Sequence, residues 1–133
     1  MFCIALLLNP MNILAYDFSH LYLSTTLILT SGYMASTMLW SHQLVHYLQM
    51  GHFNQTVFTV GIVLSLLFIF LLRSQLIVSP KQWLRRMIPH HSTALTTTTR
   101  LLDNKTVDDK TYRLAKNIIL TQQKEIDFMK SLL

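Results

Sequence analysis

The sequence is poor in the residues on which most catalytic and cofactor-binding sites depend. Of its 133 residues, one is cysteine, three are glycine and six are acidic. A single cysteine excludes an internal disulfide framework, and three glycines leave no glycine-rich loop that could bind phosphates. Glu125 is the only glutamate, whereas ferritin-like di-metal oxidases use several inward-facing glutamates. We therefore predict that the chain is not an enzyme.

Charged residues are also scarce, and the sequence is rich in apolar residues. Hydrophobic residues make up 51% of the chain and charged residues 13%. The stretch Leu21–Trp40 carries no charge, and a second apolar stretch, Val57–Val78, is interrupted only by Arg73 near its end. About 20 apolar residues suffice to cross a bilayer core, and an arginine near a helix end can extend to the headgroups. We predict two transmembrane helices within residues 21–78, joined by a loop at Ser41–Gln55; two buried helices of a soluble protein are the alternative.

The residues that flank the two predicted transmembrane helices indicate how these helices are oriented in the membrane. Residues 1–20 are an apolar lead-in without the basic start of a signal peptide. Lysine and arginine are absent from this lead-in and from the predicted loop, but Arg73, Lys81, Arg85 and Arg86 follow the second apolar stretch. The positive-inside rule therefore favours a cytoplasmic C-terminal domain. A net charge of +5, concentrated near the membrane exit, fits contact with lipid headgroups better than binding of nucleic acid.

Residues 79–133 change to the pattern of two amphipathic helices. Ser79-Pro80 is a typical helix start, a hydroxyl N-cap followed by proline. Asp103-Asn104-Lys105 predicts a turn, and Thr106 with Asp109 resembles a capping box for the second helix. In each helix, one set of residues recurs at steps of three and four and should face the other helix; we call this line of contact the seam. Its members are Leu84, Ile88, His91, Leu95, Thr98 and Leu102, then Ala115, Ile119, Gln122, Ile126, Met129 and Leu133. This spacing predicts an antiparallel helical hairpin and an all-α fold.

Histidine and methionine side chains gather on these two helices. Met87, His90 and His91 surround Pro89 on the first helix, and Pro89 should kink that helix. Met87 can reach both histidines, whereas His90 and His91 diverge by about 100° and need partners from another helix to share an ion. Glu125 and Met129 are four residues apart on the second helix and can supply them. Imidazole and thioether groups suit soft or borderline metals such as copper.

These residues also carry a family resemblance over roughly Lys81–Leu133. The matching motif reads Arg86-Met87-Ile88-Pro89-His90-His91-Ser92-x-Ala94-Leu95, then Leu114-Ala115, then Gln122-x-x-Glu125-Ile126-x-x-Met129. It resembles the bacterial family called domain of unknown function 305, and Arg73-x-Gln75-x-x-Val78 resembles that family's membrane-anchored branch. The resemblance implies a ferritin-like hairpin that pairs into a four-helix bundle, an extracytoplasmic location and copper bound through histidine and methionine. By position it implies Met87, His90, His91 and Met129 as metal ligands, with Gln122 and Glu125 as motif polar residues.

Two hypotheses about function follow. The first is a membrane-anchored, non-catalytic metal-binding protein, with copper as the expected metal and Met87, His90, His91, Glu125 and Met129 as its site. The second is a structural or assembly module in which His91 bonds to Gln122 or Glu125 and the methionines only fill the core. Either way, a two-helix hairpin of this size buries little core alone, so we expect a homo-oligomer held in the lipid bilayer and formed through residues 79–133.

A second group of histidines and methionines lies at the end of the first apolar stretch. Its members recur at steps of four: Met34, Met38, His42, His46 and Met50. A step of four overshoots the helical turn by about 40°, so only adjacent members share a face. His42 and His46 are four residues apart and could together bind a metal ion, and His52 is near them in the sequence. The alternative is ordinary membrane-embedded methionine and interfacial histidine.

Overall fold

The fold of the computed structural model is entirely helical over the residues that it describes, 1–103 and 106–133. Six α-helices and one 3₁₀ turn at Phe18–His20 occur in this part of the chain. The α-helices are α1 (Phe2–Leu7), α2 (Pro10–Ile13), α3 (Thr25–Met50), α4 (Gln55–Ser74), α5 (Pro80–Leu102) and α6 (Asp109–Ser131). The predicted all-α class is confirmed there. The predicted turn includes Asn104 and Lys105, which lie outside the described residues.

The chain divides into two compact units that interleave along the sequence. The first consists of Met1–Asn9 and Thr25–Val78 and contains α1, α3 and α4. The second consists of Pro10–Ser24 and Ser79–Leu133 and contains α2, the 3₁₀ turn, α5 and α6. The segment Pro10–Ser24 therefore accompanies the C-terminal hairpin, although its neighbours on both sides belong to the first unit. No sequence signal predicted this assignment.

Helices α3 and α4 form an antiparallel pair that packs through small residues. A Cβ atom added at Gly32 would lie 2.5 Å from the Phe68 ring, and one added at Gly61 would lie 3.0 Å from the backbone nitrogen of Trp40. Nearby, Ser65 Oγ lies 3.0 Å from Ser36 Oγ. Small residues at these positions let the two helix backbones approach closely.

Only one of these helices meets the length and hydropathy of a membrane span within the described residues. That helix is α4, whose 20 residues extend about 30 Å at 1.5 Å per residue. Helix α3 is longer, with 26 residues, but its hydroxyl, amide and imidazole side chains lower its mean hydropathy. The predicted loop at Ser41–Gln55 is wrong, because α3 continues to Met50 and residues 51–54 make the turn. Polar residues after Trp40 did not end the helix; Gly51, with φ at +67°, does.

The helical hairpin of the second unit starts as predicted at its first helix. Ser79 is the N-cap of α5, its side chain accepts from the Gln82 amide, and Pro80 is the first helical residue. The predicted capping box of α6 is wrong, because the N-cap is Asp108 instead of Thr106. The Asp108 carboxylate accepts from the backbone amides of Lys110 and Thr111, both at 3.0 Å. A carboxylate both satisfies these free amides and complements the positive end of the helix dipole.

The core of the hairpin lies along the seam that the spacing predicts. Ile88 and Ile126 are fully buried, and Leu95 and Met129 complete the buried cluster. Four partly buried side chains pack against this cluster: Tyr22, Leu84, Met87 and Ile119. Tyr22 comes from the Pro10–Ser24 segment, so the core takes side chains from three stretches of chain. The predicted seam is confirmed except at Leu133, which is exposed, and α5 continues through Pro89 as a helix.

A candidate metal-binding pocket on the helical hairpin

One pocket of the second unit collects most of the predicted site. It has a volume of about 330 Å³ and lies between α5 and α6. Four of its lining residues are predicted site residues, Met87, His91, Glu125 and Met129; the others are Trp83, Leu84, Phe128 and Leu132. The seam spacing explains this arrangement, since Met87 and His91 lie one turn apart on α5 while Glu125 and Met129 lie one turn apart on α6.

Glu125 lies against the imidazole of His91. The distance from His91 Nδ1 to Glu125 Oε2 is 2.9 Å, and the side chains are 16% and 47% exposed. The Nδ1 atom is buried and makes no aligned hydrogen bond, so the contact is close in distance but poor in angle. We regard it as an electrostatic contact, because the distance suits a charge-assisted pair. With Nδ1 facing the carboxylate, Nε2 is the ring nitrogen left for another partner.

The two methionines of the predicted site differ in their burial. Met129 is 6% exposed and belongs to the buried core cluster, while Met87 is half-buried and packs against that cluster. Both also line the pocket. The remaining walls are leucine and aromatic side chains, so the sulfur atoms and the imidazole are the principal soft donors in an apolar setting. Within the described residues, no three His, Cys, Asp or Glu side chains converge as a metal-binding group.

His90 does not share the pocket of its neighbour. Its side chain is exposed, and its ring meets the His91 ring edge-on with 5.9 Å between centroids. The pKa of His90 is nevertheless lowered, first by loss of hydration against surrounding protein atoms and then by Arg86 and His91. His90 does not line the pocket that the other four predicted site residues line.

The next residue, Ser92, organises a polar contact that sequence reasoning missed. Ser92 is fully buried, and its Oγ accepts the Tyr16 amide at 2.7 Å. The same Oγ lies 2.9 Å from Nδ1 of His20, a histidine that is only 5% exposed. The serine hydroxyl can donate to Nδ1 or accept from it, according to the tautomer of the His20 ring. These bonds attach the Pro10–Ser24 segment to α5 immediately beside His91.

Charged groups around His20 come from its own segment and from α6. Burial lowers the pKa of His20, Lys130 lowers it further, and Asp17 and Asp127 oppose them. Lys130 also donates to Ser19 Oγ at 3.1 Å. No sequence motif links residues 16–20 with residue 92, so only the fold could reveal this contact. The single available signal was Ser92 itself, a polar residue beside the seam position of His91.

Comparison with known proteins agrees with the location of these features. Residues 77–133 match the family described as Domain of unknown function (DUF305). The matched range contains α5, α6 and every residue that lines the pocket. Over 129 residues the chain is also 32% identical to Uncharacterized protein L153 of Acanthamoeba polyphaga mimivirus, which covers 95% of this chain and 82% of that relative.

This chain belongs to the DUF305 family. The family match covers the hairpin, whereas the mimivirus relative also extends over the apolar helices and the Pro10–Ser24 segment. The relative is itself described as uncharacterized and assigns no activity. No solved structure matches the chain.

Proposed function

We propose that this DUF305 protein is a membrane-anchored, non-catalytic metal-binding protein whose hairpin pocket binds copper as Cu(I). One observation carries the proposal: Met87, His91, Glu125 and Met129 line a single pocket between α5 and α6. Thioether and imidazole donors suit Cu(I), whereas carboxylate and carbonyl oxygen donors suit harder ions such as Mg²⁺ and Ca²⁺. The residues present therefore fit the metal that the family resemblance implies.

In this proposal the donors are the sulfur atoms of Met87 and Met129 and Nε2 of His91. Metal-bound histidines usually present their second ring nitrogen to a carboxylate or carbonyl, which fixes the tautomer and the ring orientation. The 2.9 Å contact between His91 Nδ1 and Glu125 supports that arrangement. We therefore assign Glu125 a positioning role in place of the ligand role expected from the sequence, and His90, which is exposed, no direct role.

The anchoring part of the proposal rests on α4 and, more weakly, on α3. Helix α4 has the length and composition of a span, and its antiparallel packing against α3 supports α3 as the second span. Following the family resemblance, we place the hairpin on the extracytoplasmic side, although Arg73 and the basic residues of α5 favour the cytoplasmic side. Labelling Cys3, which is exposed, with a membrane-impermeant maleimide in intact cells and in inverted vesicles would decide the side of the N-terminal segment.

Titration of the full-length protein in detergent with Cu(I), against a chromogenic chelator, tests metal binding. The intact protein should bind one equivalent. Met87→Leu and Met129→Leu keep the apolar volume but remove a thioether, and each should weaken binding, as should His91→Asn. Glu125→Gln should weaken it about 10- to 100-fold, the usual cost of a supporting residue. His90→Asn and Met11→Leu are the matched controls and should bind normally. Equal binding by all variants would exclude this pocket.

A second candidate function is assembly through the hairpin, and exposed apolar side chains on α6 favour it. Leu114, Leu120 and Phe128 are 60%, 63% and 65% exposed. A ferritin-like four-helix bundle made from two hairpins would cover such a face. Multi-angle light scattering of the detergent-solubilised protein should then give a dimer that Leu120→Glu dissociates. If the protein is monomeric and still binds Cu(I), the metal-binding function stands and the assembly function is excluded.

A further inference from the structure

The C-terminal end of α3 carries two neighbouring histidine rings. His42 and His46 are one helical turn apart, and their rings stack with 6.1 Å between centroids and 29° between planes. Side chains four residues apart on a helix are direct neighbours. His42 is exposed and His46 is partly exposed, so an ion from solution can reach both rings.

The ring of His46 is oriented by the backbone of the turn that follows α3. Its Nδ1 lies 3.1 Å from the carbonyl oxygen of His52. Because a carbonyl oxygen only accepts, Nδ1 must carry the proton, and Nε2 of the neutral ring keeps its lone pair. This hydrogen bond to a backbone carbonyl is the supporting contact that metal-bound histidines commonly make through their second nitrogen.

The turn itself is held against α3 by a second contact. The Asn54 amide donates to Gln43 Oε1 at 3.3 Å, while the Asn54 side chain caps α4 by accepting from the Val57 amide at 3.1 Å. The carbonyl that orients His46 therefore belongs to a turn attached to both helices of this unit. The ring of His46 is positioned before any ion arrives, which reduces the ordering cost of binding.

The composition around this pair selects the class of ion. No aspartate or glutamate occurs between Asp17 and Asp103, so hard ions that need several carboxylates have no ligands here. Imidazole nitrogen suits Zn²⁺, Ni²⁺ and Cu²⁺. We infer that His42 and His46 form a second metal site, which binds a late divalent transition metal such as Zn²⁺ through two imidazoles and completes its coordination with water.

Zn²⁺ is the probe that tests this site, because it distinguishes the imidazole pair from the thioether pocket of the hairpin. Full-length protein in detergent at pH 7.5 should bind one equivalent of Zn²⁺ in competition with a colorimetric chelator. His42→Ala and His46→Ala should each lose that equivalent. His52→Ala is the matched control, since it removes a neighbouring imidazole but keeps the backbone carbonyl, and it should bind normally. Met87→Leu should not change Zn²⁺ binding.

A second readout needs no substitution in the pair. Zn²⁺ should protect His42 and His46 of the wild-type protein from diethylpyrocarbonate, as measured by peptide mass spectrometry, while His90 stays reactive. Circular dichroism of each variant should give wild-type helicity. The inference is overturned if Zn²⁺ binding survives in both His42→Ala and His46→Ala, if His52→Ala loses it equally, or if neither histidine is protected.

Discussion

The contact of Ser92 with the Pro10–Ser24 segment yields a sharp prediction about stability. Ser92→Ala removes one oxygen that accepts from the Tyr16 amide at 2.7 Å and pairs with His20 Nδ1 at 2.9 Å. The substitution creates almost no cavity, so the cost arises from the polar groups left behind. A buried polar group without a partner costs about 1–3 kcal/mol. His20 should bear that full cost, because its side chain is only 5% exposed.

The Tyr16 amide should contribute less, because its residue is 56% exposed and water can replace the serine. We therefore expect Ser92→Ala to cost about 2–4 kcal/mol of local stability, which corresponds to roughly a 30- to 900-fold increase in opening. Hydrogen exchange of the full-length protein, read at residues 16–24 and along α5, measures this opening directly.

The matched control for this experiment is Ser131→Ala near the end of α6. Ser131 also loses a hydroxyl hydrogen bond, to the Phe128 carbonyl, but it is exposed. Its substitution should change stability by no more than about 0.5 kcal/mol. The reasoning is refuted if Ser92→Ala matches the control, or if the added exchange appears in α6 while residues 16–24 remain protected.

Three further predictions concern pH, the core and the candidate site. Burial lowers the pKa of His20 below its ordinary value of 6.5. The folded second unit should therefore be fully stable above about pH 6.5 and lose stability as the pH falls toward the folded-state pKa. His20→Asn should flatten this dependence in pH-dependent hydrogen exchange. Ile126→Ala should lower the free energy of unfolding by about 2–5 kcal/mol, because Ile126 is fully buried. Leu120 is 63% exposed, so Leu120→Ala should lower it little; chemical denaturation of the two variants measures the difference. Glu125→Gln should weaken Cu(I) binding but spare helicity, since it changes the partner of His91 Nδ1 and no core contact.

The hairpin could be predicted from sequence because its signals are local and periodic. The Ser79-Pro80 start and the seam through Ile88, Leu95 and Ile126 depend only on spacing and on helix-end chemistry. The same local reasoning misplaced the cap of α6. Thr106 fitted the capping-box pattern, but the N-cap is Asp108, whose carboxylate accepts hydrogen bonds from two backbone amides.

The contacts that could not be predicted join residues far apart in sequence. Ser92 meets Tyr16 and His20 across more than 70 positions, and no periodicity encodes that pairing. The end of α3 was misplaced for a different reason. Hydropathy marks where a membrane core would end, but a helix ends only where its backbone leaves helical dihedral angles. Gly51 is the first residue after Trp40 that readily does so.

For the candidate site, spacing correctly placed Met87, His91, Glu125 and Met129 on facing helix surfaces. It also predicted that His90 and His91 diverge. Spacing left open whether His91 bonds to Gln122 or Glu125, because that choice depends on side-chain conformations; in the structure Glu125 lies against His91 Nδ1. The proposed division of roles between donor and positioning residue therefore rests on this contact.

X-ray absorption spectroscopy of the Cu(I)-loaded full-length protein tests the central claim most directly. The proposed donor set predicts a copper shell with two sulfur atoms and one imidazole nitrogen, which correspond to Met87, Met129 and His91. The double variant Met87→Leu/Met129→Leu should lose the sulfur scattering, and His90→Asn should leave the spectrum unchanged. A shell of nitrogen and oxygen alone in the wild-type protein, or sulfur scattering that persists in the double variant, would contradict the account.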